Sequence, residues 1–419
     1  MDSRVVSTLL IAFAILLPLQ RIVGPANTIM ADLAMVSLVL YTWPTLWRIR
    51  KPVSFPLLLP QWLILVAGLI ATLVSLDRGG SLKTLAGDLY IYVCFVTLCN
   101  AIEDEEIVSK VGKAWVVVAC IETFLVLLGY TGIGPRAMKP PEVPWAPGIK
   151  REAIGTFDLA VWSGRAIGTL NNANAMASYL GTSFFIFLFL ATAFPHKRTL
   201  RFGVGIWLLA GIVATGSNAG LAGLAAGVFF MILLRSQHKG AMAWISAAVI
   251  ITGLVALVFL MTGASLEALE ESTGGFAPLR LTLGRLGGGV EKRLRLLTEG
   301  WRSYLTAPLG LGPWASRVSE VHKGLHNEYA GHLFERGILA LLGLLLMMAE
   351  VLFCAGSSAS LTKVGSMRRY QLASFVGVCI STAVAALSHE VLHSRDFWFV
   401  LALMFAQNKL LKGERGSAE

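Results

Sequence analysis

The chain has 419 residues, of which 55% are hydrophobic and only 14% charged. A soluble domain carries nearer a quarter charged residues, and here the apolar residues fall in runs long enough to cross a bilayer, so a soluble globular reading is excluded. The formal net charge of +10 matters by where it falls along the chain more than by its sum.

The first apolar run, Val5 to Leu19, is followed by Gln20 and Arg21. It lacks a small-residue cleavage site and reads as a retained helix, not a signal sequence. Counting from it, spans are expected at residues 5–20, 29–47, 56–76, 85–102, 112–130, 174–194, 202–215, 217–234, 241–262, 337–354, 370–387 and 397–411. The split at Thr215 to Asn218 decides the topology, because one unbroken span over 202–234 would reverse everything after it. The expected fold is an all-α polytopic membrane protein, a single membrane domain over 1–419 with about twelve transmembrane helices. Two long loops interrupt it, at 131–173 and 263–336.

Loop charge gives the orientation, since short cytoplasmic loops are rich in Lys and Arg. Five segments agree: Arg48, Arg50 and Lys51; His196, Lys197, Arg198 and Arg201; Arg235 and Lys239; Lys363, Arg368 and Arg369; Lys409, Lys412 and Arg415. Both termini are therefore expected in the cytoplasm and both long loops outside. Acidic residues 103–106 share the basic side but count little in this rule. The five cysteines lie in apolar runs without a CxxC pair and read as small buried hydrophobes. Four acids inside spans, Asp32, Asp88, Glu122 and Glu350, stand singly and read as anchors of helix packing or interface groups.

The outer loops are basic. Residues 277–317 hold Arg280, Arg285, Lys292, Arg293, Arg295, Arg302 and Arg317 against Glu291 and Glu299, and the first loop adds Arg136, Lys139, Lys150, Arg151 and Arg165. Such a surface on a membrane bundle suits an anionic ligand arriving at the bilayer, phosphate or pyrophosphate above all, because Arg offers a planar fork of donors. Nucleic acid is not expected as a partner. Roughly half of these arginines are assigned to lipid headgroups or scaffold roles. The stretch Lys139 to Pro147 cannot continue a helix and reads as an extended connector, and Trp145 and Trp162 suit headgroup depth.

Three stretches carry candidate chemistry. In Gly324 to Leu339, His326 stands at the water–membrane boundary, where a neutral imidazole can take a proton from a sugar hydroxyl or simply hydrogen-bond at a helix start. His332, six residues on, does not share its face and forms no i, i+4 metal pair with it. Glu335 falls opposite His326 on a regular helix and suits pairing with an arginine of a neighbouring helix. In Arg165 to Leu180, a helix is entered through Asn171, Asn172 and Asn174, which suit capping or the binding of phosphate and sugar oxygens. In Lys292 to Gly312, Arg293, Leu296, Leu297, Gly300 and Tyr304 follow helical spacing before a Pro–Gly turn, describing a short amphipathic helix on the bilayer.

Together these stretches resemble the O-antigen ligase and O-antigen polymerase superfamily of bacterial envelope proteins. The likeness runs from about Arg165 to Leu346. It rests on Arg165, Gly168 and Asn174; on Arg293, Gly300, Trp301, Pro308, Leu309, Gly310 and Gly312; and on His326, Asn327, Glu335 and Gly337. One departure is Asn218, which stands where the family often has an arginine. That shifts one expected phosphate contact to Arg280 or Arg285.

The resemblance implies a fold similar to the type C glycosyltransferases, in the bacterial inner membrane with a periplasmic active site. It implies transfer of a glycan from undecaprenyl pyrophosphate to a sugar hydroxyl of lipid A–core, inverting and without metal or cofactor. His326 would be the general base, with Arg165 and Arg293 as catalytic arginines. Arg280, Arg285, Arg136, Asn171, Asn174, Asn218, Asn327 and Glu335 would contact pyrophosphate or glycan. The partners implied are the lipid-linked donor, the lipid A–core acceptor and membrane lipids. A polymerase of the same superfamily is the near alternative. A lipid-linked glycan transporter or flippase is the distant one, against which stand the lack of internal symmetry and the 74-residue outer loop.

Overall fold

In a computed structural model the apolar runs fold as helices. The structure describes residues 1–19, 30–75, 77–131, 161–162, 165–166, 168–170, 172–190, 198–235, 297–313, 315, 327–360, 362, 366–387 and 390–416. The helices are α1 (Ser3–Leu16), α2 (Met30–Arg48), α3 (Leu58–Val74), α4 (Arg78–Ala101), α5 (Glu105–Thr131), α6 (Ala173–Leu190), α7 (Arg198–Ala214) and α8 (Asn218–Arg235). They continue as α9 (297–306), α10 (Glu328–Ser360), α11 (Met367–Ala385) and α12 (Arg395–Gly416). A two-residue antiparallel ladder joins β1 (Val161–Trp162) to β2 (Arg165–Ala166). Each expected span except 241–262, which lies outside the described residues, coincides with one of these helices. Four of them, α4, α5, α6 and α10, are long and apolar enough to cross a membrane, and α1, α3 and α8 are shorter apolar helices.

Small polar residues start the helices where the backbone donors need partners. Asp2 accepts from Arg4 N at 2.9 Å, Asp77 from Gly80 N at 2.9 Å and Ser366 from Arg369 N at 3.1 Å. The split between α7 and α8 is a true reversal. Gly216 takes a positive φ of 60° between them. Gly205 faces Phe187 and Gly211 faces Leu180, so α7 runs antiparallel to α6. Gly220 faces Ala177 and Gly227 faces Phe185, so α8 runs parallel to it.

Two kinds of packing hold the bundle. Small residues let α8 lie close on α11, with Gly227 against the Gly377 carbonyl and Gly223 against Ser381. A buried aromatic seam ties α4, α5, α6 and α12. Trp115 stacks on Phe399 with centroids 5.4 Å apart, its indole donates to Ser183 Oγ at 2.7 Å, and Phe95 meets Trp398 edge-on.

The two ends of the bundle differ in chemistry. At one end the acidic residues before and in the first turn of α5 take the cations around them. Lys51 meets Glu103 at 2.5 Å, and Glu105 pairs with Arg368 and accepts from Gln407 Nε2 at 2.8 Å. The other end gathers the close of α1, α3, α5, α7 and α11 and the start of α2, α4, α6, α8, α10 and α12, and holds the candidate site.

Candidate active site

The site is organised by the first turns of α10. The helix starts nine residues before the expected span at 337, and at Gly337 it kinks, with φ 79° and ψ −179°. Residues 328–336 thus form a segment aimed independently of the remainder of the helix. Beside the kink lies the turn that closes α9. Leu311 N donates to the Phe334 carbonyl at 3.0 Å and Gly312 N to the Glu335 carbonyl at 2.8 Å, taking acceptors next to the kink.

Glycine is required on both partners. Gly310 has φ 92°, and a Cβ there would stand 2.4 Å from the Glu335 carbonyl oxygen. At Gly312, with φ 104°, a Cβ would meet Ser75 Oγ at 2.3 Å. At Gly337 it would meet the Pro308 carbonyl at 2.8 Å. The Pro-Leu-Gly-x-Gly turn and the Glu-x-Gly sequence are therefore two halves of one junction. Helix α9 rests on the same segment: Leu297 and Tyr304 pack on Ala330 and Phe334, and Gly300 leaves room for the Phe334 ring. Its other face exposes Trp301 and Leu305, as the amphipathic pattern predicts.

Inside the junction is a buried polar set that spacing between distant segments does not reveal. Arg336 Nη2 pairs with Asp88 Oδ2 of α4 at 2.7 Å, both side chains nearly closed from solvent. Asp88 Oδ1 also faces His393 Nδ1 at 3.3 Å. One turn back, His332 Nδ1 lies 2.9 Å from the Glu328 carbonyl, so this nitrogen donates the proton. Two turns back, the buried Glu328 carboxylate accepts from Val391 N at 2.5 Å and Leu392 N at 3.2 Å. Gln61, Asp88, His332, Arg336, Leu392, His393 and Trp398 are among the residues lining a cavity of about 10 Å³, the space of one water. His332 Nε2 is buried there with no hydrogen-bond partner among the described residues. His393 lies in the connection before α12 with 41% of its side chain exposed. Desolvation opposes its charge, but the hydrogen bond and field of Asp88, with Glu328 behind, outweigh this and raise the imidazole to about 9.

Neighbouring contacts complete this end. Arg395 grips Asp32 of α2 with Nε at 2.7 Å and Nη2 at 2.9 Å, and Tyr90 OH donates to the same carboxylate at 2.9 Å. Glu122 accepts from Thr169 N at 3.1 Å and lies 2.6 Å from its hydroxyl, which is 2.7 Å from the Pro18 carbonyl. Gly168, at φ 53°, lies where a Cβ would crowd Met176 and that same carboxylate. The acids at 32, 88 and 122 do anchor packing, as their scattered spacing suggests, and each does so at this end.

Of the expected site residues, Arg165 lies on β2 three residues before Gly168. Asn174 is in the first turn of α6 and its Oδ1 accepts from Ser217 Oγ at 2.9 Å, which ties the turn before Asn218 to the α6 start. The capping role falls to Asn172, whose side chain accepts from Asn174 N at 2.8 Å. Asn327 caps α10, accepting from Ala330 N at 2.9 Å and donating to the Leu387 carbonyl at 2.9 Å. Glu335 is half-buried, and its backbone carbonyl receives the Gly312 amide. Arg136, Asn171, Arg280, Arg285, Arg293 and His326 lie outside the described residues. Sequence reasoning misses Asp88, Glu328, His332, Arg336 and His393 as a set. One signal is available: Glu328, His332 and Arg336 recur at i, i+4 and i+8 and so share a face.

A helical bundle, four of whose helices are long and apolar enough to cross a membrane, is consistent with a helical membrane protein. Residues 203–345, from α7 into α10, match a family model described as O-antigen ligase. No curated protein matches the chain.

Proposed function

We propose that this protein is an O-antigen ligase of the bacterial inner membrane, with its termini in the cytoplasm and the Asp88 end facing the periplasm. It transfers a glycan from undecaprenyl pyrophosphate to a sugar hydroxyl of lipid A–core. The observation that carries this reading is the junction inside the family match: the Pro-Leu-Gly-x-Gly turn closes directly on the helix capped by Asn327.

In the proposed step the acceptor oxygen bonds to the anomeric carbon as its bond to the pyrophosphate oxygen breaks. His326 takes the acceptor proton. Undecaprenyl pyrophosphate leaves with its negative charge held by Arg165 and Arg293, aided by Arg280 and Arg285. Arg136 lies in the first basic loop and adds to the field. Asn171, Asn174, Asn218, Asn327 and Glu335 face glycan or phosphate around this centre. With arginines neutralising the leaving group, no metal is needed.

The test supplies purified protein with a lipid-linked glycan and, separately, lipid A–core. Glycan on lipid A–core is the expected product. Lengthening of the lipid-linked glycan alone would make the protein a polymerase. Neither product, with an active donor, would refute glycosyl transfer and favour transport of the lipid-linked glycan.

A further inference from the structure

We propose that Asp88, Arg336 and Glu328 are positioning residues that clamp the segment 328–336 and thereby aim the start of α10 for the transfer reaction. This rests on the proposed function, because His326 directly precedes the capping residue of that segment. The geometry singles out the segment. Gly337 frees it from the direction of the long helix behind it. Something must then fix its orientation, and two ties do so at opposite ends. At its last turn Arg336 is held by Asp88 of α4 at 2.7 Å. At its first turn Glu328 receives the amides of Val391 and Leu392, while Asn327 donates to the Leu387 carbonyl. One segment is thereby fixed to α4, to the end of α11 and to the connection into α12.

Stability alone is a poor reason for such a set. Burying ions among apolar helices carries a desolvation penalty, and well-packed apolar residues in place of a buried pair are often as stable or more so. Ionisable groups within a membrane bundle are therefore functional candidates by default. None of the three residues is assigned contact with substrate. They act through the backbone that carries His326 and Asn327.

The experiment replaces the pair by apolar residues, Asp88→Leu with Arg336→Met, so that neither charge is left orphaned. Folding is checked by size exclusion and thermal unfolding of the full chain in detergent. The variant is then read on two scales. In the transfer assay it is expected to lose about 10–100-fold in kcat, with donor KM within about threefold, as a displaced catalytic group produces. In hydrogen–deuterium exchange, amides 328–336 are expected to exchange at least about tenfold faster than in wild type, with α5 and α6 unchanged. The charge swap Asp88→Arg with Arg336→Asp should recover part of both. A stable apolar variant with wild-type kcat and unchanged exchange would overturn the proposal. If the apolar variant fails to fold, Arg336→Lys is read on the same two scales, and wild-type values there would overturn it equally. A wild type that transfers nothing refutes the proposed function, while the exchange comparison still decides whether the pair aims this segment.

Discussion

Substituting alanine at Gly310 tests the junction that organises the site. The residue has φ 92°, where an L side chain is strained by roughly 1–3 kcal/mol. The added Cβ would stand 2.4 Å from the Glu335 carbonyl oxygen and 2.6 Å from Arg336 N. Both are backbone atoms, so no rotamer change relieves the overlap. The turn must back away from α10, weakening the amide bonds from Leu311 and Gly312, each worth about 1 kcal/mol. The sum is about 3–5 kcal/mol. Gly331→Ala is the control, because among the described residues no atom beyond its own stretch of helix lies within 4 Å of its Cβ position, and helix propensity makes it neutral or stabilising by roughly 1 kcal/mol. Denaturant unfolding in detergent, compared at unchanged slope, measures both. A Gly310→Ala protein within about 1 kcal/mol of wild type would show that the close approach is not real and remove the basis for joining the two motifs.

Other outcomes rest on particular contacts. His393 has a folded pKa raised to about 9, so its pairing with Asp88 adds stability that is whole below the unfolded value near 6.5 and is lost as pH rises through about 9. Thermal unfolding of wild type between about pH 6 and 10 should show this fall, and His393→Gln should flatten it. Asp32→Ala leaves Arg395 without that carboxylate at a site only 24% exposed, and should destabilise by about 3 kcal/mol. Adding Arg395→Leu should recover most of that loss, which denaturant unfolding of both variants measures. Arg165→Ala should lower the transfer rate about 10²–10³-fold with unfolding unchanged, as removal of one charge stabiliser does.

Helix positions are legible in the sequence because a bilayer demands long apolar runs, and no neighbour is needed to read them. The reversal at Gly216 is legible too, since Gly-Ser-Asn between two apolar runs is a turn sequence with a mechanism. The amphipathic helix at 297–306 follows from its period, and its partner Phe334 does not. Asp88, Arg336 and His393 escape because they lie far apart along the chain, and hydropathy says nothing about which helices adjoin. Within α10 the family pattern points to Glu335. The buried charge is its neighbour Arg336, on the face it shares with Glu328 and His332. Asn327 is expected among the substrate contacts; its cap on Ala330 N and its bond to the Leu387 carbonyl are not legible in the sequence, because they depend on which helix end lies beside it.

The most direct measurement is the stoichiometry of transfer in EDTA, counting undecaprenyl pyrophosphate released for each glycan joined to lipid A–core by wild type and by His326→Ala. One release per bond formed is expected of wild type, with loss of both in a variant that still folds. Transfer that persists at the wild-type rate in His326→Ala, or that stops in EDTA, would contradict a metal-free ligase with His326 as its base.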